Sequence, residues 1–203
     1  MKTDERIVLA MAELLRLQGY AATGIKQLAH ASQAPTGSIY HHFKGGKRDV
    51  AAAALRRTGA AYIQLLPLLL DPHDDLATGV AAAFAQAGDD LENTGWANMC
   101  PVGTVAGEIA DTEPELRAVA GEVIDAWVTE GTRYFAERGL SDADARAATY
   151  AVLTALEGAF ILARGQRSPE PLLAAGRSTA AFVATLPVSR RSSRAAGRQK
   201  VSR

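Results

Sequence analysis

The stretch Gly19-Tyr20-Ala21-Ala22-Thr23-Gly24-Ile25-Lys26-Gln27-Leu28-Ala29 is followed, seven residues on, by Gly37-Ser38-Ile39-Tyr40-His41-His42-Phe43-Lys44. Apolar residues at helical spacing place a short helix over about Gly24 to Ala31, with Ile25, Leu28 and Ala29 turned inward. A second short helix spans about Thr36 to His42. Pro35 suits its opening, where a helix has spare N–H groups. A longer helix precedes the pair, from about Asp4 to Leu17. Thr3 is a candidate cap, and Ile7, Met11, Leu14 and Leu15 form one buried face. Gly19 is its stop. A long helix followed by two short ones around a tight connection is the helix-turn-helix pattern, in which the second short helix enters the major groove of DNA.

The chemistry of the second short helix agrees. Ala34 to Ser38 are small, so backbone can approach phosphate. Donors follow at Thr36, Ser38, Tyr40, His41 and His42, and Lys44, Lys47 and Arg48 make a cationic rim. Hydroxyls and Lys/Arg mostly hold phosphates, while groove-facing side chains read bases. His41 and His42 do not make a metal pair, because adjacent helix residues point about 100° apart.

Charge separates along the chain although the total is zero. Residues 1–60 hold nine Lys/Arg against four Asp/Glu, a net +5. Residues 61–187 hold seven against eighteen, a net −11, and residues 188–203 carry six cations and no acid. A basic head on an acidic body suits a polyanion partner for the head.

The rest also reads as helix. One helix starts near Lys47 and runs past Tyr62, with Pro67 expected to end or kink it. Another covers about Leu76 to Leu91, then Asn93 to Thr104 forms a loop entering a short helix. Thr112-Glu113-Pro114-Glu115 reads as a capping box for a helix through about Glu137. Ser141 caps the next, through about Ala163, and Ser168-Pro169 opens the last, through about Leu186. The tail from Ser189 is Ser/Arg-rich and is expected to be disordered. The fold class is all-α. The organisation is a helix-turn-helix domain over 1–47, a helical ligand-binding and dimerisation domain over 48–187, and a basic tail over 188–203.

Function classes narrow accordingly. No apolar run approaches the ~18 residues that span a bilayer, and the opening MKTDER lacks a secretory apolar core, so a cytoplasmic location is expected. A lone Cys100 forms neither an internal disulfide nor a cysteine-based metal cluster. Catalytic triads, phosphate loops and metal spacings are missing, so an enzyme is not expected and no cofactor is implied.

The two quoted stretches, with Lys47 beyond, closely resemble the DNA-binding domain of the TetR family of transcriptional regulators over about residues 5–57. The later Cys100-Pro101-Val102-Gly103 looks like a subgroup related to multidrug-pump repressors. The resemblance implies DNA contacts at Thr23 and Lys26 on the supporting helix. It implies others at Thr36, Gly37, Ser38, Tyr40 and His41 on the recognition helix, with Tyr40 on a phosphate and Lys47 beside the DNA backbone. Lys44 joins them from the rim. Tyr20, Leu28, Ile39 and Phe43 match core positions. Two positions depart from the family pattern: Gln33 stands where Gly is frequent in the turn, and Thr36 where Lys is frequent.

The resemblance also implies that the remainder binds a small-molecule effector and forms a homodimer on a near-palindromic double-stranded operator. Tyr62, Phe84, Trp96, Met99, Trp127 and Phe160 supply apolar walls for a pocket, and Thr104 and Glu157 supply polar groups. Cys100 joins them, as a small buried residue or as a reactive thiol. Ala148, Ala151, Ala155 and Ala159, with Ala175, Thr179 and Phe182, form small-residue faces suited to a four-helix dimer bundle. The resulting expectation is a repressor released from DNA by a hydrophobic or amphipathic ligand. An activator or a ligand-independent DNA-binding dimer is the alternative, with a scaffold behind it.

Overall fold

The computed structural model describes residues 1–109 and 112–189. In chain order the helices are α1 Thr3–Gln18, α2 Ile25–Ala31, α3 Thr36–His42, α4 Lys47–Leu70, α5 Leu76–Asn93, α6 Pro101–Ile109, α7 Pro114–Glu137, α8 Asp142–Gln166 and α9 Glu170–Ala184. Among the described residues there is no strand. The tail expected to be disordered lies, from residue 190 onward, outside the described residues.

Two apolar clusters organise the chain. The first joins α1, α2 and α3 to the start of α4, α6 and the start of α7, with Ile7, Met11, Leu28, Ile39 and Leu55 fully buried. Burial of each such side chain stabilises by about 1.5–3 kcal/mol. The second gathers α5, α8, α9 and the end of α7 around Phe84, Leu91, Phe135 and Leu172. Helices α4 and α7 run through both clusters and pack on each other. A Cβ on Gly59 would overlap Val123, so the glycine lets the two backbones approach. The buried Trp127 Nε1 donates to the Gly59 carbonyl at 2.9 Å and fixes that crossing.

Local chemistry explains three helix ends. Gly19 closes α1 at φ 81°, a conformation that favours glycine. The Asp75 carboxylate accepts from Thr78 N and Ser141 Oγ accepts from Asp144 N, capping α5 and α8.

Two expectations, at Thr3 and Thr112, need correction, and Pro67 and α8 add detail to two others. Thr3 lies inside α1, whose N-cap is Lys2 with no side-chain cap bond. Pro67 does not end α4, which continues to Leu70 with the proline inside its last turn. So near the C-terminus its missing N–H forfeits only one helical bond, that to the Ile63 carbonyl. Thr112 does not cap α7 either. Its hydroxyl donates back to the Ile109 carbonyl at 2.6 Å, and Glu113 takes the N-cap position. Finally, α8 is long and apolar enough, by length and composition, to cross a membrane. Its inner face packs in the second cluster, and its outer face exposes Ile161 and Leu162.

Candidate nucleic-acid interface and ligand cavity

Helices α1 to α3 set the reader. Leu28 and Ile39 are wholly buried and lock α2 against α3. Between them Gln33 adopts φ 51°, the left-handed region. Arg6 of α1 reaches the Gln33 carbonyl at 3.3 Å and supports the turn. Thr36, Gly37, Tyr40 and His41 lie on the exposed face of α3, with Ser38 half-buried. Tyr40 is 48% exposed, unusual for a tyrosine with no core role. Its ring lies against Gly46, where any Cβ would crowd it. A Cβ on Gly37 would meet nothing, so the start of α3 is open to a close-approaching backbone. Lys26 and Lys44 are exposed beside this surface.

Two of the expected contacts sit differently. Thr23 is buried, and its hydroxyl donates to the Gly19 carbonyl at 2.6 Å. It shapes the α1–α2 turn. Lys47 is half-buried, with its ammonium 3.9 Å from the Tyr20 ring centroid. Burial lowers its pKa, opposed by the charges of Glu113 and Glu108.

The body holds a cavity of about 520 Å³ between the two clusters. Tyr62, Phe84, Met99, Cys100, Trp127, Glu157 and Phe160 line it. Tyr62 and Trp127 stack with centroids 5.9 Å apart and planes at 16°. Burial pushes the Tyr62 hydroxyl up to about 12. Burial likewise raises Glu157, which accepts from the Cys100 thiol, and raises that thiol far above its ordinary value. Cys100 therefore stays protonated, which removes its nucleophilic form. Trp96 and Thr104 do not line the cavity. Trp96 packs on the second cluster at φ 67°, and the Thr104 hydroxyl is buried without a partner. Sequence reasoning passed over Leu66, Leu153 and Leu156, which also form its walls. Plain leucines carry no signal that separates a wall from a core.

Helix α6 joins the two regions. Asn98, Met99 and Cys100, just before it, line the cavity. Near its other end, the Glu108 carboxylate accepts from Tyr20 N at 2.7 Å and Ala21 N at 3.1 Å.

The small-residue faces expected to form a dimer bundle mostly point inward. Ala148, Ala159 and Thr179 are buried, and Ala155 and Ala175 pack on the second cluster. Ala151 is half-buried and Phe182 is 39% exposed. The exposed apolar residues of α8 are Tyr150, Ile161 and Leu162.

A helix-turn-helix on a helical body is the architecture of a DNA-binding transcriptional regulator. The chain belongs to the TetR family. Residues 7–54 match the model of the bacterial regulatory proteins of the tetR family, and residues 77–178 match the transcriptional regulator LmrA/YxaF-like C-terminal domain. It is 30% identical over 169 residues to the HTH-type transcriptional regulator YxaF of Bacillus subtilis, covering 83% of this chain and 88% of that one. The LmrA regulator of the same organism is also 30% identical, with 83% and 90% covered. A crystal structure of a TetR regulator from Chloroflexus aurantiacus superposes with TM-score 0.72 at 27% identity, over 92% of this chain and 97% of that one. The protein is thus a helix-turn-helix transcriptional regulator.

Proposed function

We propose that this regulator is a homodimeric repressor that leaves a near-palindromic operator when a small hydrophobic or amphipathic ligand fills the cavity. Residues 1–47 serve as reader and 48–187 as sensor and dimerisation body, in the cytoplasm. Thr36, Gly37, Ser38, Tyr40 and His41 meet the operator, with Lys26 and Lys44 on flanking phosphates. The observation that carries this reading is the span of α6. A ligand pressing on Asn98 to Cys100 acts at one end of a rigid nine-residue helix, and the Glu108 grip on the α1–α2 turn sits near the other. A ligand that favours one setting of that helix shifts the dimer between operator-binding and released states. A coupling of ~1–3 kcal/mol changes operator affinity about 5–150-fold.

Selection of bound sequences from a random duplex pool tests the reader, with Tyr40→Ala in parallel. A near-palindromic consensus enriched by the wild type and lost in the variant is the expected result. No enrichment by a folded dimer at low salt would overturn it.

A further inference from the structure

The cavity is lopsided in charge and in hydrogen bonding. Its lining arginines each have a carboxylate of their own. Arg16 pairs with Glu13, Arg133 with Glu130 and Glu137, and Arg138 with Asp71. Glu157 differs. It projects from α8 into the cavity, and among the described residues no cation pairs with it. Its neighbours are the Cys100 thiol and the first turn of α6, where a Cβ on Gly103 would overlap the carboxylate. In its present position the carboxylate therefore uses the space left by the missing Cβ of Gly103. Nearby, the Oδ1 of Asn98, another lining residue, is buried without a hydrogen-bond partner. The Glu157 carboxylate thus faces a space that supplies it with no matching donor beyond one thiol. The stacked Tyr62 and Trp127 rings are part of the same wall.

We infer that the effector is an organic cation with a flat or bulky apolar body, whose positive centre pairs with Glu157 inside the aromatic wall of Tyr62 and Trp127. This rests on the ligand-responsive reading above and narrows it. A buried, unpaired carboxylate is costly, and a cation in a dry site offsets that cost. Aromatic faces add attraction that is larger when the cation is desolvated. The apolar walls then select for the body of the ligand. Pairing with the cation also draws Glu157 away from the first turn of α6, so occupancy is sensed at the helix that leads to Glu108.

The test compares three probes of one shape on the full chain. They are para-phenylbenzyl trimethylammonium, its neutral carbon isostere para-neopentylbiphenyl, and the anion biphenyl-acetate. Binding is read by equilibrium dialysis and by release of selected operator DNA. The wild type is expected to prefer the cation over the neutral isostere by about tenfold or more, and to reject the anion. Glu157→Gln keeps the size of the side chain and is expected to erase that preference while still binding the neutral probe. The wild-type comparison needs no variant, so the inference stands exposed even if Glu157→Gln misfolds. Equal binding of cation and neutral probe, both releasing DNA, would overturn the cation inference and leave the ligand-responsive reading intact. A preference that survives in Glu157→Gln would also overturn it. No binding of the cation, with operator affinity intact, would also overturn the cation inference while leaving the broader ligand-responsive reading to other ligand shapes.

Discussion

The Glu108 carboxylate sits 2.7 Å from the backbone nitrogen of Tyr20, eighty-eight residues earlier in the chain. The same oxygen accepts from Ala21 N, and Gly19 leaves room for it, since a Cβ there would overlap the carboxylate. Tyr20 is held a second time, with its hydroxyl donating to Glu113 at 3.3 Å. The α1–α2 turn is thus fastened to the body by one carboxylate at the end of α6 and one at the start of α7.

Glu108→Ala removes the acceptor and is expected to cost about 1–2 kcal/mol of stability. Glu108→Gln keeps an acceptor and should recover most of it. The sharper readout is operator affinity, since Glu108 reaches the reader through backbone N–H groups at Tyr20 and Ala21, away from α3. A shift in affinity in Glu108→Ala, measured by fluorescence anisotropy on a selected operator, marks the clamp as a coupling element. An unchanged affinity restricts it to stability.

The turn between α2 and α3 carries strain of its own. Gln33 occupies a left-handed backbone conformation at φ 51°. Its replacement by glycine, which adopts that conformation without a Cβ clash, is expected to stabilise the protein by about 1 kcal/mol. For a chain of this size the melting temperature should rise by about 2–4 °C. Differential scanning calorimetry checks it, and a fall in melting temperature would show that the Gln33 side chain is needed where it stands.

Thr23 and Lys44 separate structure from electrostatics. Lys44 is exposed and Thr23 is buried with its hydroxyl bonded to Gly19. Lys44→Ala should lower the slope of log affinity against log salt by about one per lost phosphate contact. Thr23→Ala should leave the slope alone and lower thermal stability. A reduced slope for Thr23→Ala would return that residue to the DNA.

Glu157 makes a pH prediction whose sign follows from its burial. Desolvation raises its folded-state pKa above the ordinary carboxyl value. The folded protein therefore holds this proton more tightly than the unfolded chain. The resulting stability is present below the ordinary value near ~4.3 and is lost as pH rises through the raised one. Glu157→Gln removes that loss. Its denaturation midpoint should gain on the wild type as pH climbs through this window and then run parallel. A constant gap from about pH 4 to pH 8 would mean that the carboxyl titrates as if in water.

The reader was more legible than the body, for a physical reason. In α3 a proline, small residues, one inward Ile39 and a closing Phe43 each demand a different place, so the helix spans Thr36–His42 as read from sequence. The aromatic lining was also readable, because Tyr62, Trp127 and Phe160 are large enough to mark the interior on any helix. In α8 the signal fails. Ala147, Ala148, Ala151, Ala155 and Ala159 place small residues on several faces, and alanine is equally at home inside or outside. Periodicity cannot then choose which face meets the core. Thr23 is ambiguous for a different reason: a short hydroxyl residue near a helix start suits a phosphate contact and a buried turn bond equally well.

The outward face of α8 carries the last prediction. Tyr150, Ile161 and Leu162 are 42%, 62% and 57% exposed, and Phe182 of the adjacent α9 is 39% exposed. Tyr150, Thr154, Gly158 and Leu162 recur at every fourth position, so they form one stripe along the helix. The apolar side chains on this face, Tyr150, Ile161 and Leu162, lose water-exposed area only by meeting another surface, and a second copy of the same face is self-complementary. Ile161→Glu places a charge there without touching the core. It is expected to yield a folded monomer by sedimentation velocity, with operator affinity lower by about 10²–10⁴-fold because two linked readers become one. Ala159→Leu acts on the buried side of the same helix. Overpacking there should cost about 1–3 kcal/mol of stability while the surviving folded fraction stays dimeric. If Ile161→Glu remains a dimer and Ala159→Leu dissociates, the two copies meet through a different face.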